Sequence, residues 1–89
     1  NYKQFMAYKQ LTKLIREKIQ RKETIETKVL NLYEASNPSF YYVYEILGDY
    51  YAAIQQTDTA ITYWQKALTM PIPKQAEKVR IQQKINKKQ

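Results

Sequence analysis

Between Tyr44 and Ala67 large and small residues recur at fixed intervals: Tyr44, Leu47, Gly48 and Tyr51, then Ala60, Trp64 and Ala67. The first four stand at i, i+3, i+4 and i+7, one face of an α-helix. The last three keep a similar step on a second helix. Large residues on one helix then meet small ones on the other, so the spacing describes two antiparallel helices that interlock. One such pair buries too little surface to be stable alone, and the rest of the chain has to supply its neighbours.

Written in full, the pattern is Tyr44-x2-Leu47-Gly48-x2-Tyr51-x8-Ala60-x3-Trp64-x2-Ala67. It resembles the tetratricopeptide repeat (TPR), in which an aromatic, Leu-Gly and Tyr are followed by spaced Ala, aromatic and Ala. Tyr44 stands where that family usually has Trp, and Trp64 where it usually has Phe, so both exchanges keep an aromatic. Pro38 lies 34 residues before Ile72, in the slot of the family's linker proline. The resemblance implies a regular repeat over residues 38–72, a degenerate helix pair over 1–37 and a capping helix over 73–89. Leu30 takes the aromatic slot of the earlier repeat, while Glu26 and Tyr33 replace its small residues. The implied fold is all-α: a short, right-handed, antiparallel stack of about five helices in one domain. The resemblance also gives Gly48 a structural role, a close approach of the partner helix near Ala60 that offsets the ~1 kcal/mol a mid-helix glycine costs.

Composition agrees with helix. Lys, Gln, Glu, Ala, Leu and Ile dominate the 89 residues, with one Gly and three Pro, too little turn chemistry for hairpins. A chain this short buries about 60–65 % of its unfolded surface, so its stability margin is thin. No Cys is present to add a disulfide or a thiolate metal site, and no His to act as general base or metal ligand. A Gly-rich phosphate loop is also missing. The expectation is a non-enzyme without cofactor, metal or small-molecule substrate. Glu45 and Asp49, one helical turn apart, read as a solvated surface pair rather than a catalytic dyad. No run approaches the ~20 apolar residues of a membrane span, and the start shows no signal-peptide core. The absence of an initiating Met suggests a piece of a longer protein.

Along the chain, the spacing predicts a helix from Tyr2 to Arg21 with Phe5, Tyr8, Leu11 or Thr12, Ile15 and Ile19 on its apolar face. A second helix is predicted from Glu23 or Thr24 to about Ala35, with Ile25, Val29, Leu32 and Tyr33 inward. No Gly or Pro marks the join, so one long helix is the alternative. Pro38 sets a boundary, and Ser39 is the expected cap of a helix from about Phe40 to Ile54. Thr57 or Asp58 is expected to cap the next helix, which runs to Met70 before Pro71-Ile72-Pro73 stops it. A last helix from about Lys74 to Lys87 carries Ala76, Val79, Ile81 and Ile85.

Charge is uneven: residues 1–28 carry net +5, 29–73 net −3 and 74–89 net +5. The basic residues follow the polar sides of the two terminal helices and form no Arg-rich cluster, so a solvated face is the better reading than a phosphate-binding one. A basic amphipathic membrane helix over Tyr2–Ile19 ranks lower still. The TPR resemblance implies a protein-docking module whose inner helix lines a concave surface. The corresponding positions are Tyr42, Glu45, Ile46, Asp49, Ala52 and Ala53, with Tyr42 the leading contact. Glu45 and Asp49 suit a basic or apolar partner segment, or a preceding domain of the same chain. The regular repeat and its trailing basic helix also look like short TPR-like tails of some bacterial hydrolases and amidase-like enzymes. On that alternative the chain is an appendage to a catalytic domain.

Overall fold

The computed structural model describes residues 2–89 and shows five helices: α1 (Tyr2–Arg21), α2 (Thr27–Ser36), α3 (Tyr41–Ala53), α4 (Thr57–Leu68) and α5 (Gln75–Lys88). No strand occurs among the described residues. The fold is an all-α helical stack with α3 at its centre, and the mid-chain apolar density explains why. Eight of α3's thirteen residues are buried, among them Val43, Tyr44, Leu47 and Tyr50.

Side-chain pairings fix how the helices run. Tyr44 meets Lys66 and Tyr51 stacks on Tyr63 at 5.4 Å, so α3 and α4 are antiparallel. Tyr33 of α2 meets both Tyr8 and Thr12 of α1. Arg16 of α1 reaches Tyr42 of α3, and Glu45 and Asp49 of α3 reach Arg80 and Lys84 of α5. Low numbers meet low and high meet high between α3 and α5, so these two run parallel, and α1 lies along the other side of α3 in the same layer. The other layer holds α2 and α4.

The α3–α4 contact follows the expected spacing, but Gly48 meets a different group from the one expected. A Cβ at Gly48 would run into Cδ1 and Nε1 of the Trp64 ring and come within 2.9 Å of its Cγ. The Trp64 indole ring, rather than the partner backbone near Ala60, requires the glycine. Ala60 and Ala67 are fully buried beside it.

Two helices, not one long one, precede the Pro38 boundary. α1 ends as predicted at Arg21, through Lys22 in the left-handed region (φ 55°). The Glu23 N–H then donates to the Lys18 carbonyl at 3.0 Å, a bond that closes helix ends normally finished by glycine. α3 ends the same way, with Gln55 at φ 66° and the Gln56 N–H donating to the Tyr51 carbonyl at 2.8 Å.

α2 starts at Thr27, later than expected, because the backbone before it is committed elsewhere. The Ile25 N–H donates to the Tyr50 hydroxyl at 2.9 Å, which fixes the connector to α3. Leu30 and Tyr33 take the inner face and leave Leu32 61 % exposed, contrary to the predicted stripe. Phe5 and Val79 are likewise exposed, and so is Ala76; Ile15 anchors α1, while Ile81 and Ile85 anchor α5. The expected caps are not used. Phe40 and Gln56 hold the N-cap positions of α3 and α4 without a side-chain cap bond, and α4 stops at Leu68. The Tyr44 hydroxyl instead donates to the Pro38 carbonyl at 2.6 Å and secures the turn into α3.

Candidate functional site

Two residue pairs of the same spacing meet across the α1/α3/α5 layer. Glu45 and Asp49 lie one turn apart on α3, and Arg80 and Lys84 lie one turn apart on α5. Each acid is thus 35 residues from its base. Arg80 grips Glu45 with both ends of its fork: Nε donates to Oε2 at 2.8 Å and Nη2 to Oε1 at 2.7 Å. Lys84 Nζ donates to Glu45 Oε2 at 2.7 Å and to both Asp49 oxygens at 3.0 Å. The indole N–H of Trp64 is shared between Asp49 Oδ1 at 3.1 Å and the Glu45 carbonyl at 3.3 Å.

This geometry corrects the reading of Glu45 and Asp49 as a solvated pair. The Glu45 residue is 1 % exposed. Taking an isolated carboxylate out of water costs several kcal/mol, and its three charge-assisted hydrogen bonds oppose that cost. Burial acts to raise its pKa, but Arg80 and Lys84 outweigh it and hold Glu45 below the ordinary carboxylate range. At Asp49 the balance falls the other way. Burial lifts its pKa above the usual value despite Lys84 and the Trp64 N–H.

Beside this network the layer is concave. A groove of about 700 Å³ runs between α1 and α5 over α3, with Tyr42, Ile46 and Asp49 among its lining residues. No residue of α2 or α4 lines it. Ile46 is 3 % exposed and belongs to the floor, whereas Tyr42 is half-buried. The Tyr42 hydroxyl accepts a hydrogen bond from Arg16 Nη1 at 3.3 Å. Glu45 lies beneath Arg80 and Lys84, outside the lining. Ala52 and Ala53, half-buried in the last turn of α3, are also outside it. The structure therefore brings Tyr42, Ile46 and Asp49 of the six candidate residues to the groove.

The walls carry residues that the sequence reading left on the polar sides of the terminal helices. Lys9, Lys13 and Arg16 follow one stripe of α1, and Arg80 and Lys84 face them from α5. The signal was in the spacing: the three α1 cations stand at i, i+4 and i+7. Against these five cations the lining holds two carboxylates, Glu17 and Asp49. Among the described residues, no carboxylate lies within 4.0 Å of Lys9, Lys13 or Arg16.

Such a surface can bind and orient a ligand. Among the described residues no cluster of three His, Cys, Asp or Glu is placed to hold a metal ion. No described helix is long and apolar enough to cross a membrane. No family model, curated protein or solved structure matches the chain.

Proposed function

We propose that the chain is a non-catalytic protein-docking module of TPR type, which receives a segment of another protein, or of another domain of its own chain, in the α1/α3/α5 groove. The observation that carries this reading is the division of labour between the layers. α2 and α4 stay behind α3, so the concave face is built from alternate helices of the stack, as in repeat solenoids that present extended binding surfaces. Tyr42 offers an aromatic face at its centre, a residue type favoured in interface cores.

A peptide-display selection on the folded domain tests the reading. Selected peptides should bind in solution and perturb the amide resonances of Thr12, Tyr42 and Asp49. Peptides that fail to bind, or that shift resonances only on α2 and α4, would refute it.

A further inference from the structure

We propose that the occupant of this groove is an extended, acidic protein segment, its side-chain carboxylates paired with Lys9, Lys13 and Arg16 along α1 while an apolar side chain rests on Tyr42. The inference rests on the docking reading and adds the chemistry of the partner.

The sequence alone points the other way, because Glu45 and Asp49 are the acids nearest the centre of the face. Folding cancels them. Arg80 and Lys84 arrive from α5 on the same one-turn spacing and engage both carboxylates at 2.7–3.0 Å. Glu45 is sealed from solvent at 1 % exposure, so it presents no charge to a ligand that its own two bases do not already answer. What is left facing the groove is the α1 stripe. Lys13 and Arg16 have no carboxylate within 4.0 Å among the described residues, and Lys9 rests over the Phe5 ring at 5.6 Å. One acid, Glu17, shares that wall.

Three cations spread over two turns of one helix match an extended strand of carboxylates along their length. One wall is therefore cationic and free of carboxylate partners, the other self-neutralised, and the floor between them carries Tyr42 and Ile46. A duplex or single-stranded nucleic acid would call for cations on both walls and for stacking aromatics. Here the α5 cations are engaged, and Tyr42 is the one aromatic in the lining.

The test uses the whole chain and three fluorescent twelve-residue peptides of equal length, amidated at the C-terminus so that only side chains supply charge. One is Asp/Glu-rich with a central Leu, one Lys-rich with the same Leu, and one neutral. A single-stranded oligonucleotide is the fourth probe. Anisotropy gives affinity at 50 and 200 mM salt, and amide shifts locate binding. The acidic peptide is expected to bind in the groove at least tenfold more tightly than the neutral one. Its affinity should fall with salt and drop tenfold or more in K13E/R16E. K78E/K87E, which changes two exposed lysines of α5 outside the lining, should leave it within twofold. Tighter binding of the Lys-rich or neutral peptide in the groove overturns this inference and leaves the docking reading standing. Groove binding by the oligonucleotide but not the acidic peptide overturns it too. Failure of every probe to perturb the groove overturns both. The far-ultraviolet spectra and melts of the variants establish that each is folded before affinity is compared.

Discussion

Replacing Arg80 and Lys84 by Met removes the two bases that face Glu45 while keeping unbranched, apolar side chains in their places. Glu45, with 2 % of its side chain exposed, then has neither counter-charge. Breaking a buried ion pair by removing one side costs about 3–5 kcal/mol. An 89-residue chain at ~0.05–0.15 kcal/mol per residue holds about 4–13 kcal/mol in all. The double variant should therefore lose a large fraction of its stability at pH 7.5. A domain of this size shifts Tm by about 4–8 °C per kcal/mol, so the melt should fall by about 12–40 °C.

The sign of the pH dependence is the sharper test. In the parent, Glu45 is held below its ordinary pKa of 4.5, so its stabilisation is complete above that value and is lost only as pH falls through the folded-state value. In R80M/K84M burial acts alone and raises the pKa. The penalty is then full above the raised value and shrinks as pH falls toward 4.5. Asp49, already raised by burial in the parent, loses Lys84 in the variant, so it adds to the difference between the two in the same sense. Urea unfolding by circular dichroism at pH 7.5, 6.0 and 5.0 should show that difference narrowing, by up to about 1.4 kcal/mol for each pH unit below the raised value. Adding E45Q to the double variant should remove the Glu45 part of the trend and leave the part due to Asp49, which has lost Lys84 as well. A loss below about 1 kcal/mol at pH 7.5, or one independent of pH, would contradict a buried, ionised Glu45.

Three further outcomes test the packing. Gly48→Leu should lower the melt sharply, and Gly48→Ala should also destabilise by about 1–3 kcal/mol, because overpacking against Trp64 exceeds the helix-propensity gain; an unchanged Gly48→Leu melt would sink the helix-pair packing. Lys22→Gly should raise stability by about 0.5–1 kcal/mol by relieving the left-handed conformation at φ 55°, measured by urea unfolding, and a loss would contradict that geometry. Ile15→Ala should cost about 2–5 kcal/mol, while Leu32→Ala, at a position 61 % exposed, should stay within about 0.5 kcal/mol in the same assay.

Much of the architecture was legible because it rests on local spacing. Tyr44, Leu47 and Gly48 against Ala60, Trp64 and Ala67 place α3 and α4, and the Tyr2–Arg21 helix appears with the predicted bounds. Helix ends were less legible. Lys22 and Gln55 adopt a conformation that favours glycine, the Tyr44 hydroxyl holds the Pro38 carbonyl at the turn where a Ser39 cap was expected, and the Tyr50 hydroxyl holds the Ile25 N–H ahead of α2. Such choices depend on contacts distant in sequence. The same holds for Glu45: its own helix marks it as solvent-facing, and the bases that bury it lie 35 residues away or more. Its signal in the sequence is two charge pairs of equal spacing set 35 residues apart. Half of the candidate site was visible as the α3 face; the cationic wall was visible only as a polar side until α1 was set beside α3.

The two walls of the groove are fastened to α3 by different kinds of force. α1 is held through aromatic packing, Tyr8 against Phe40 at 5.9 Å, and by Ile15 in the core. α5 packs chiefly against α4, burying Ile81 and Ile85, and meets α3 through Arg80 and Lys84. Acid therefore acts on the cleft asymmetrically: protonating Glu45 and Asp49 weakens the polar seam under one wall and leaves the aromatic packing under the other unchanged. Salt screens buried pairs little and leaves that seam closed, so the aperture of the cleft follows pH rather than ionic strength.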